Sequence, residues 1–235
     1  KEDQGHLETK ISQVESLLAI SRIIDESKLD NSKVMLLSKV LVMNHNVKKE
    51  FTYIVVSENE LKKISKLKTP NKVFAIFEFP AASSLKENGL ILALDAINDP
   101  GNLGTIIRLC DWFGVSQLVC SKDTVDCYNQ KVVQASMGSL TRVSIHYLDL
   151  ANYLTNTNLP AFIADMNGVN VYNTQLPKEG ILVMGNEANG VCEEIKQLVT
   201  NKIAIPRFGA IQETESLNVA TASAILLSEF RRGIE

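Results

Sequence analysis

Three polar loops hold the residues of this sequence that could bind a ligand or take part in catalysis. In the first, residues 99–108, a proline and two glycines predict a tight turn that leads into a helix. Arg108 lies one to two turns into that helix, so its guanidinium can reach back over the loop. The alternative is a turn with a surface arginine and a helix cap at Asn102 or Thr105. We expect Trp112, the only tryptophan, to lie in the core rather than to stack on a base.

The second loop, residues 182–190, begins as an apolar run and contains two glycines, two asparagines and one carboxylate. Its glycines allow the backbone to approach a ligand closely. Glu187 could accept a hydrogen bond from a ligand, or it could cap the helix that we predict to begin near Val191. The chain contains neither the glycine-rich dinucleotide fingerprint nor the P-loop pattern, which disfavours both of those ligand classes.

The third loop joins residues 203–209 to residues 215–220, ahead of an apolar C-terminal helix. Pro206 ends the preceding strand, and Ser216 or Asn218 lies at the start of the helix. The alternative to a ligand-binding role is that Ser216 is simply the N-cap of that helix. Each of the three loops follows a strand-like run, and open α/β sheets bind their ligands at the carboxyl ends of strands.

The elements that must position these loops alternate in type along residues 85–235. Apolar runs recur with helical segments between them, which predicts a mostly parallel sheet with helices on both faces. The predicted strands are residues 90–94, 117–119, 143–147, 161–164, 181–184 and 203–205.

Residues 1–84 are more polar, and their short segments predict a small α/β domain that ends in a linker at residues 80–84. We therefore divide the chain into a small domain, 1–84, and a larger one, 85–235. The elements predicted in the small domain are strands at residues 39–43, 51–56 and 73–77 and helices at residues 11–24 and 58–66.

Composition narrows the class of protein. Of the 235 residues, 45% are hydrophobic and 22% are charged, which is typical of a globular protein with a buried core. No apolar run approaches the ~18 residues of a membrane helix, and no signal-peptide core follows residues 1–10. The four cysteines and three histidines are scattered, which suits free thiols in a reducing cytoplasm and predicts no metal site.

The net charge of −3 conceals one basic stretch. Five lysines and no acidic residue occur in residues 62–72, which we call the lysine stretch. These charges could follow the phosphate backbone of a nucleic acid. The alternative is a solvated helix face and loop. Its members are Lys62, Lys63, Lys66, Lys68 and Lys72.

Taken together, the three loops resemble the motifs of a known family. The ordered set is Asn102-x-Gly104-x-x-x-Arg108, then Gly-Asn-Glu-x-x-Gly at 185–190, then Ile-Pro at 205–206 followed by Ser-Leu-Asn-Val-Ala at 216–220. In identity and spacing it resembles the three motifs of the SpoU (TrmH-like) RNA ribose 2′-O-methyltransferases of the SPOUT class. The resemblance covers residues 91–229. Residues 131–142 look like a further family stretch, and residues 51–77 are similar to the RNA-binding domain that many members carry in front.

The resemblance implies a fold, a cofactor and partners. In this family the C-terminal segment of a parallel α/β sheet forms a trefoil knot, in which S-adenosylmethionine binds. Members are homodimers, and their substrates are tRNA or rRNA. The implied cofactor-binding positions are Leu182, Val183, Met184, Gly185, Ile203, Ala204, Ile205, Pro206, Ser216, Leu217 and Asn218.

The resemblance also implies a catalytic set, which comprises Arg108, Asn102, Glu187, Ser216 and Asn218. A guanidinium loses its proton only above pH ~12, so Arg108 is a poor general base. We expect Arg108 to hold the target phosphate and to stabilise the developing alkoxide, while the other polar groups position the reactants. We assign RNA contacts to the lysine stretch and to Arg142.

Two other functions compete with this one. The first is a non-catalytic RNA-binding or ribosome-assembly protein on the same scaffold, which the intact polar set disfavours. The second is a Rossmann-type oxidoreductase, which the missing dinucleotide fingerprint disfavours.

Overall fold

The structure is a computed structural model, and it describes residues 34–39, 52–64, 73–75, 83–209 and 216–233. The chain divides into two compact units, Lys1–Ala82 and Ser83–Glu235, close to the boundary at residues 84 and 85 that the sequence suggests. The predicted helix at residues 11–24 lies outside the described residues.

The described part of the first unit contains a three-stranded sheet. Its central strand, β1 (Val34–Lys39), pairs antiparallel with β2 (Thr52–Val56) and parallel with β3 (Val73–Ala75). Helix α1 (Glu58–Ile64) follows β2. The sequence interpretation missed β1, which precedes the strand predicted at 39–43, and residues 40–43 lie outside the described part of the chain.

Helix α1 begins where the sequence provides a capping box. The backbone N–H of Ser57 donates to Glu60 Oε2 over 2.8 Å, and the backbone N–H of Glu60 donates to Ser57 Oγ over 3.3 Å. These reciprocal bonds satisfy backbone donors that the first turn of a helix leaves without partners.

The second unit contains a six-stranded sheet in which every pairing is parallel, as predicted. The order across the sheet is β6-β5-β4-β8-β7-β9. The strands are β4 (Leu90–Leu94), β5 (Gln117–Ser121), β6 (Ser144–Leu148), β7 (Ala161–Asn170), β8 (Gly180–Met184) and β9 (Asn201–Ala204).

Helices cover both faces of this sheet because the central strands bury both of their faces. Along β4, Leu92 and Leu94 pack in one apolar cluster with α2 and α6, whereas Ile91 and Ala93 pack in a second cluster with α4 and α5. Alternate side chains of a strand point to opposite faces, so an uninterrupted apolar run requires a cover on each side. The helices are α2 (Pro100–Trp112), α3 (Gln130–Ser136), α4 (Leu150–Asn156), α5 (Glu193–Leu198) and α6 (Val219–Arg231).

Gly104 explains why the first polar loop and the 131–142 stretch belong together. A Cβ atom at Gly104 would lie 2.5 Å from Ala135 Cβ and 2.9 Å from the carbonyl oxygen of Val132. Only a glycine therefore lets α3 pack this closely on α2.

The prediction that Trp112 lies in the core is wrong. Its side chain is 83% exposed at the last residue of α2. Trp112 follows Arg108 by four residues, so it shares the outward face of the helix. The buried face is formed by Leu103, Ile106, Ile107 and Cys110.

The strand order brings two loops together. β4 and β8 are neighbours and run parallel, so the loops that follow them emerge at the same edge of the sheet. No helix among the described residues is long and apolar enough to cross a membrane. The trefoil knot depends on the path through residues 210–215, which are outside the described residues, and it stays a prediction.

Candidate active site

The start of helix α2 leaves the side chain of Asn102 available for other contacts. Asp99 is the N-cap, and its Oδ1 accepts a 2.8 Å hydrogen bond from the backbone N–H of Asn102. The proline that follows is suited to the first helical position because it has no N–H to satisfy. The prediction of a cap at Asn102 or Thr105 is therefore wrong, since both residues lie inside the helix.

Asn102 instead joins the three polar loops. Its Nδ2 donates to Glu187 Oε1 over 2.5 Å, and its Oδ1 accepts a 2.9 Å hydrogen bond from Asn218 Nδ2. Asn102, Glu187 and Asn218 form what we call the polar triad. Three predicted residues that are far apart in sequence are thus joined through Asn102.

The N-caps of helices α5 and α6 exclude the capping roles considered for Glu187 and Ser216. Glu187 does not cap the next helix, because α5 begins at Glu193 with Cys192 as its N-cap. Ser216 is not the N-cap of α6 either, since Asn218 Oδ1 accepts hydrogen bonds from the backbone N–H groups of Ala220 and Thr221. Ser216 is exposed just before this cap.

Asn186 holds the loop that carries Glu187. Its backbone exchanges hydrogen bonds of 3.0 and 2.8 Å with Gly190, which closes the loop. Its Oδ1 accepts from the backbone N–H of Ala188 over 2.9 Å, and its Nδ2 donates to the carbonyl of Ala96 over 2.8 Å. The sequence interpretation included Asn186 in a motif but assigned it no role of its own.

Ala96 is the strained residue of this edge, with a φ of 55°. Its N–H donates to Ser121 Oγ over 2.9 Å, so strand β5 and the Asn186 loop hold its peptide groups from both sides. A non-glycine residue in the left-handed region costs of order 1–3 kcal/mol, and only such surrounding bonds maintain it.

Asp95 ties β4 to the end of the same loop. It is only 6% exposed, its backbone N–H donates to the carbonyl of Met184, and its Oδ2 accepts a 2.6 Å hydrogen bond from the backbone N–H of Cys192. The sequence interpretation missed Asp95, although a carboxylate directly after a fully apolar strand was a signal that could have identified it.

We expect Asp95→Ala to lower the free energy of unfolding by about 1–3 kcal/mol, because it removes the acceptor of the part-buried N–H of Cys192. Urea unfolding of the purified protein measures this loss. Asp95→Asn is the matched control, since its amide oxygen can still accept from Cys192, and we expect a smaller loss. Equal stabilities of Asp95→Ala and the unaltered protein would contradict the role of this bond.

Arg108 lies on the exposed face of α2. Among the residues that the structure describes, its side chain forms no hydrogen bond or ion pair. It lies six positions after Asn102, a rise of about 9 Å along the helix axis. This rise leaves space for a charged group between Arg108 and the polar triad.

The predicted cofactor positions fall into two groups. The side chains of Leu182 and Val183 are fully buried, one in each apolar cluster. They therefore pack in the core beneath the loop and are not exposed to a ligand. Ile205 and Pro206 are half-buried after β9, and Leu217 is exposed before α6. These apolar side chains at the carboxyl edge suit an adenine ring, which protein sites commonly enclose between apolar groups and backbone polar atoms.

Arg142, which we assign to RNA contact, is paired within the protein. Its Nη2 lies 2.7 Å from Asp111 Oδ2, and its Nε donates to both oxygens of the same carboxylate. Ser139 Oγ donates to Asp111 as well. Burial raises the pKa of Asp111, but the hydrogen bonds from Arg142 and Ser139 outweigh it and hold this pKa below its ordinary value.

The lowered pKa of Asp111 predicts a pH-dependent contribution to stability. The contribution is complete above the pKa of about 3.9 of an unfolded aspartate and is lost as the pH falls through the lower folded value. Because both side chains are partly exposed, we expect less than about 1 kcal/mol. Thermal unfolding of Asp111→Asn at descending pH should converge with that of the unaltered protein, and Arg142→Gln should reduce the same pH dependence. A constant difference across this range would contradict the assignment.

The lysine stretch is only partly described. Lys62 and Lys63 are exposed on α1, whereas Lys66, Lys68 and Lys72 lie outside the described residues. All four cysteines are free, and the described residues contain no cluster of ligands that could hold a metal ion.

Comparisons with known proteins show which family this chain resembles. Residues 89–228 match the model of the SpoU rRNA Methylase family. The chain is 30% identical to the 23S rRNA (guanosine(2553)-2′-O)-methyltransferase RlmP of Bacillus subtilis, over 75% of this chain and 71% of that protein.

Two solved structures are similar as well. The first is a protein of Porphyromonas gingivalis assigned to the TrmH family of RNA methyltransferases, with a TM-score of 0.70, 39% identity and coverage of 75% and 73% of the two chains. The second is the AdoMet-bound rRNA methyltransferase of Sinorhizobium meliloti, with a TM-score of 0.59, 31% identity and coverage of 64% and 58%.

Proposed function

This chain belongs to the SpoU rRNA methylase family, and we propose that it methylates a ribose 2′-hydroxyl of RNA with S-adenosylmethionine as the methyl donor. The observation that carries the proposal is the polar triad, which joins the three family motifs on the helix that carries Arg108, an arginine whose side chain has no partner among the described residues. The similar S. meliloti enzyme has AdoMet bound, which supports the cofactor.

We propose ribosomal RNA as the substrate class. RlmP of Bacillus subtilis is named for 23S rRNA, and the similar S. meliloti structure is that of an rRNA methyltransferase. A tRNA substrate is the alternative, and the methylation assay below distinguishes the two.

Arg108 carries the charge chemistry of the proposed reaction. Its guanidinium keeps its proton at neutral pH, so it can bind the phosphate next to the target ribose and stabilise the oxygen as that oxygen loses its proton. We propose that this phosphate, and not Arg108, is part of the base that accepts the proton of the 2′-hydroxyl. The lack of another partner for Arg108 among the described residues supports this role.

The polar triad positions the reactants. Glu187 keeps one carboxylate oxygen bound to Asn102, and Asn218 keeps its Nδ2 on the same amide and its Oδ1 on the N-terminus of α6. Asn102 and Asn218 are therefore each held in one orientation by two partners. Glu187 is held by its bond to Asn102 and by the closed loop that carries it. Such fixed groups lower the entropic cost of bringing two substrates together. Ser216, exposed beside the triad, is proposed to contact the substrate.

The cofactor would be held by the apolar side chains at the carboxyl edge, Ile205, Pro206 and Leu217, and by backbone near Met184 and Gly185. When bound, S-adenosylmethionine supplies an electrophilic methyl group on sulfur. The residues named here would exclude water and hold the adenine ring, while the polar triad would position the reactants.

Three further features belong to the same proposal. The first unit, with Lys62 and Lys63 exposed, contributes to RNA binding, and Arg142 adds a contact while it remains paired with Asp111. The protein acts as a homodimer in the cytoplasm, where ribosomal RNA is modified. A non-catalytic RNA-binding protein on the same scaffold is the competing function.

Radiolabelled S-adenosylmethionine tests the proposed reaction directly. We expect label to enter rRNA prepared from cells that lack this protein, as alkali-resistant 2′-O-methyl nucleotides. Label in the tRNA pool alone would reassign the substrate. Cofactor binding without transfer to either pool would favour the non-catalytic function.

A further inference from the structure

Two aromatic rings, those of Tyr172 and Phe208, are exposed beside the proposed active site. Neither residue belongs to the polar set of the three family motifs. The rings of Tyr172 and Phe208 lie nearly parallel, with their centroids 6.5 Å apart and an angle of 26° between their planes. Phe208 is 83% exposed, so Tyr172 covers little of its surface. Met166 and Val169, which lie in β7 a few residues before Tyr172, are also exposed. We call Tyr172 and Phe208 the aromatic pair.

The aromatic pair lies at the same edge of the sheet as the polar triad. β7 and β9 are parallel to each other, and β7 is parallel to β8, so all their carboxyl ends face one way. Tyr172 follows the end of β7, and Phe208 follows Ile205, a proposed wall of the cofactor site, by three residues. The aromatic pair is therefore on the substrate side of the sheet.

The backbone beneath the aromatic pair is held firmly. Ala164 and Val169 of β7 both pair with Ile203, so the four residues between them bulge out of the ladder. Gly168 within this bulge approaches the backbone of Lys202 and Ile203 so closely that a Cβ atom would lie 2.6 Å away. Asn170 then pairs with Ala204, and its Oδ1 accepts from the backbone N–H of Tyr172 over 2.9 Å.

A cation accompanies the exposed rings. Arg207 precedes Phe208, and its Nη2 lies 3.0 Å from Met166 Sδ, which directs the guanidinium along the same surface. An open aromatic face next to an arginine is suited to a nucleotide, because the ring stacks on a base of any sequence and the cation attracts the phosphate. An aliphatic ligand would not use the planarity of the rings, and it would not use the charge.

We propose that Phe208, supported by Tyr172, stacks on a nucleobase of the RNA substrate that neighbours the methylated nucleotide. This inference rests on the proposed function, since it names a subsite for the same RNA. Arg207 contacts the phosphate of the stacked nucleotide. The subsite holds the RNA strand against the carboxyl edge while the target ribose reaches the polar triad.

RNA binding by Phe208 variants of the full chain tests this subsite. The probe is a short single-stranded RNA of mixed sequence that carries one 2-aminopurine, whose fluorescence is quenched on stacking. We expect Phe208→Ala to weaken binding by about 10- to 100-fold, the range for loss of one stacked base, and to reduce the quenching. The affinity for S-adenosylmethionine, measured by calorimetry, should stay unchanged.

Two further variants separate stacking from simple apolar contact. Phe208→Tyr keeps a planar ring and should bind RNA nearly as well as the unaltered protein. Phe208→Leu keeps apolar volume without a planar ring and should behave like Phe208→Ala. Full RNA affinity in Phe208→Ala, or full rescue by Phe208→Leu, would overturn the inference.

The oligomeric state supplies an independent check. Dissociation of the dimer in Phe208→Ala, measured by analytical ultracentrifugation, would assign the aromatic pair to contact with a second copy and overturn the RNA subsite. The proposed function fails separately, if the unaltered protein binds this RNA through Phe208 but methylates no RNA pool. Absence of RNA binding by the unaltered protein would overturn both.

Discussion

Arg108→Ala is expected to lower the rate of 2′-O-methyl transfer by at least about 10²–10³-fold, and so to abolish it in a routine assay. Loss of one preorganised group that stabilises developing negative charge typically has an effect of this size. The affinity for S-adenosylmethionine should change little, because Arg108 lies on the exposed face of α2 and not among the proposed cofactor positions. Single-turnover methylation and calorimetry measure the two quantities.

Arg108→Lys is the matched control for charge. Lysine keeps the positive charge but lacks the planar group that binds a phosphate through two hydrogen bonds, so we expect partial activity between that of alanine and arginine. Thr105→Ala, one turn earlier on the same exposed face, should remain active. Full activity of Arg108→Ala would show that the proposed mechanism is wrong.

Gly185→Ala is expected to destroy the loop that carries Glu187. A Cβ atom at Gly185 would lie 2.1 Å from the carbonyl carbon of Gly190 and 2.1 Å from the nitrogen of Val191. Both are backbone atoms of the closed loop, so no side chain can rotate away to relieve the clash. Overpacking of this kind costs ~1–3 kcal/mol or more, and we expect cofactor affinity to fall by at least about tenfold along with stability.

Gly190 at the other end of the same loop offers a matched control. It has a φ of 68°, and a Cβ atom there would meet nothing within 4 Å. Asparagine tolerates this left-handed conformation, so Gly190→Asn should retain cofactor binding. Urea unfolding and calorimetry of both variants decide the question, and unchanged cofactor affinity in Gly185→Ala would contradict the role given to this close approach.

The strands were predictable because burial on both faces leaves a strong pattern. β4 and β8 are apolar at nearly every position, and the predicted ranges agree with the observed ones to within one residue. The parallel sheet with helices on both faces followed from the alternation of such runs with helical segments. β1 was missed because Ser38 and Lys39 divide the apolar residues 34–43 into two short runs, and the prediction placed the strand in the second run.

The ends and faces of helices were less predictable. Asp99, Asn102 and Thr105 are all able to cap α2, and only the structure shows that Asp99 does so. The exposure of Trp112 depends on which face of α2 meets the sheet. Residue type favours burial of tryptophan, but helix position overrides it here, since the apolar face of α2 is already complete without Trp112.

The sequence by itself determined the family resemblance, the identities of the polar residues and the strands that carry them. Only the tertiary structure decided which of these residues meet. Asn102 lies 85 positions before Glu187 and 116 positions before Asn218, yet it binds both. The physical reason is that parallel pairing joins strands that are distant in sequence. β4 and β8 are neighbours in the sheet, so their carboxyl ends bring the first two loops together. Asn218, the N-cap of α6, adds the third loop.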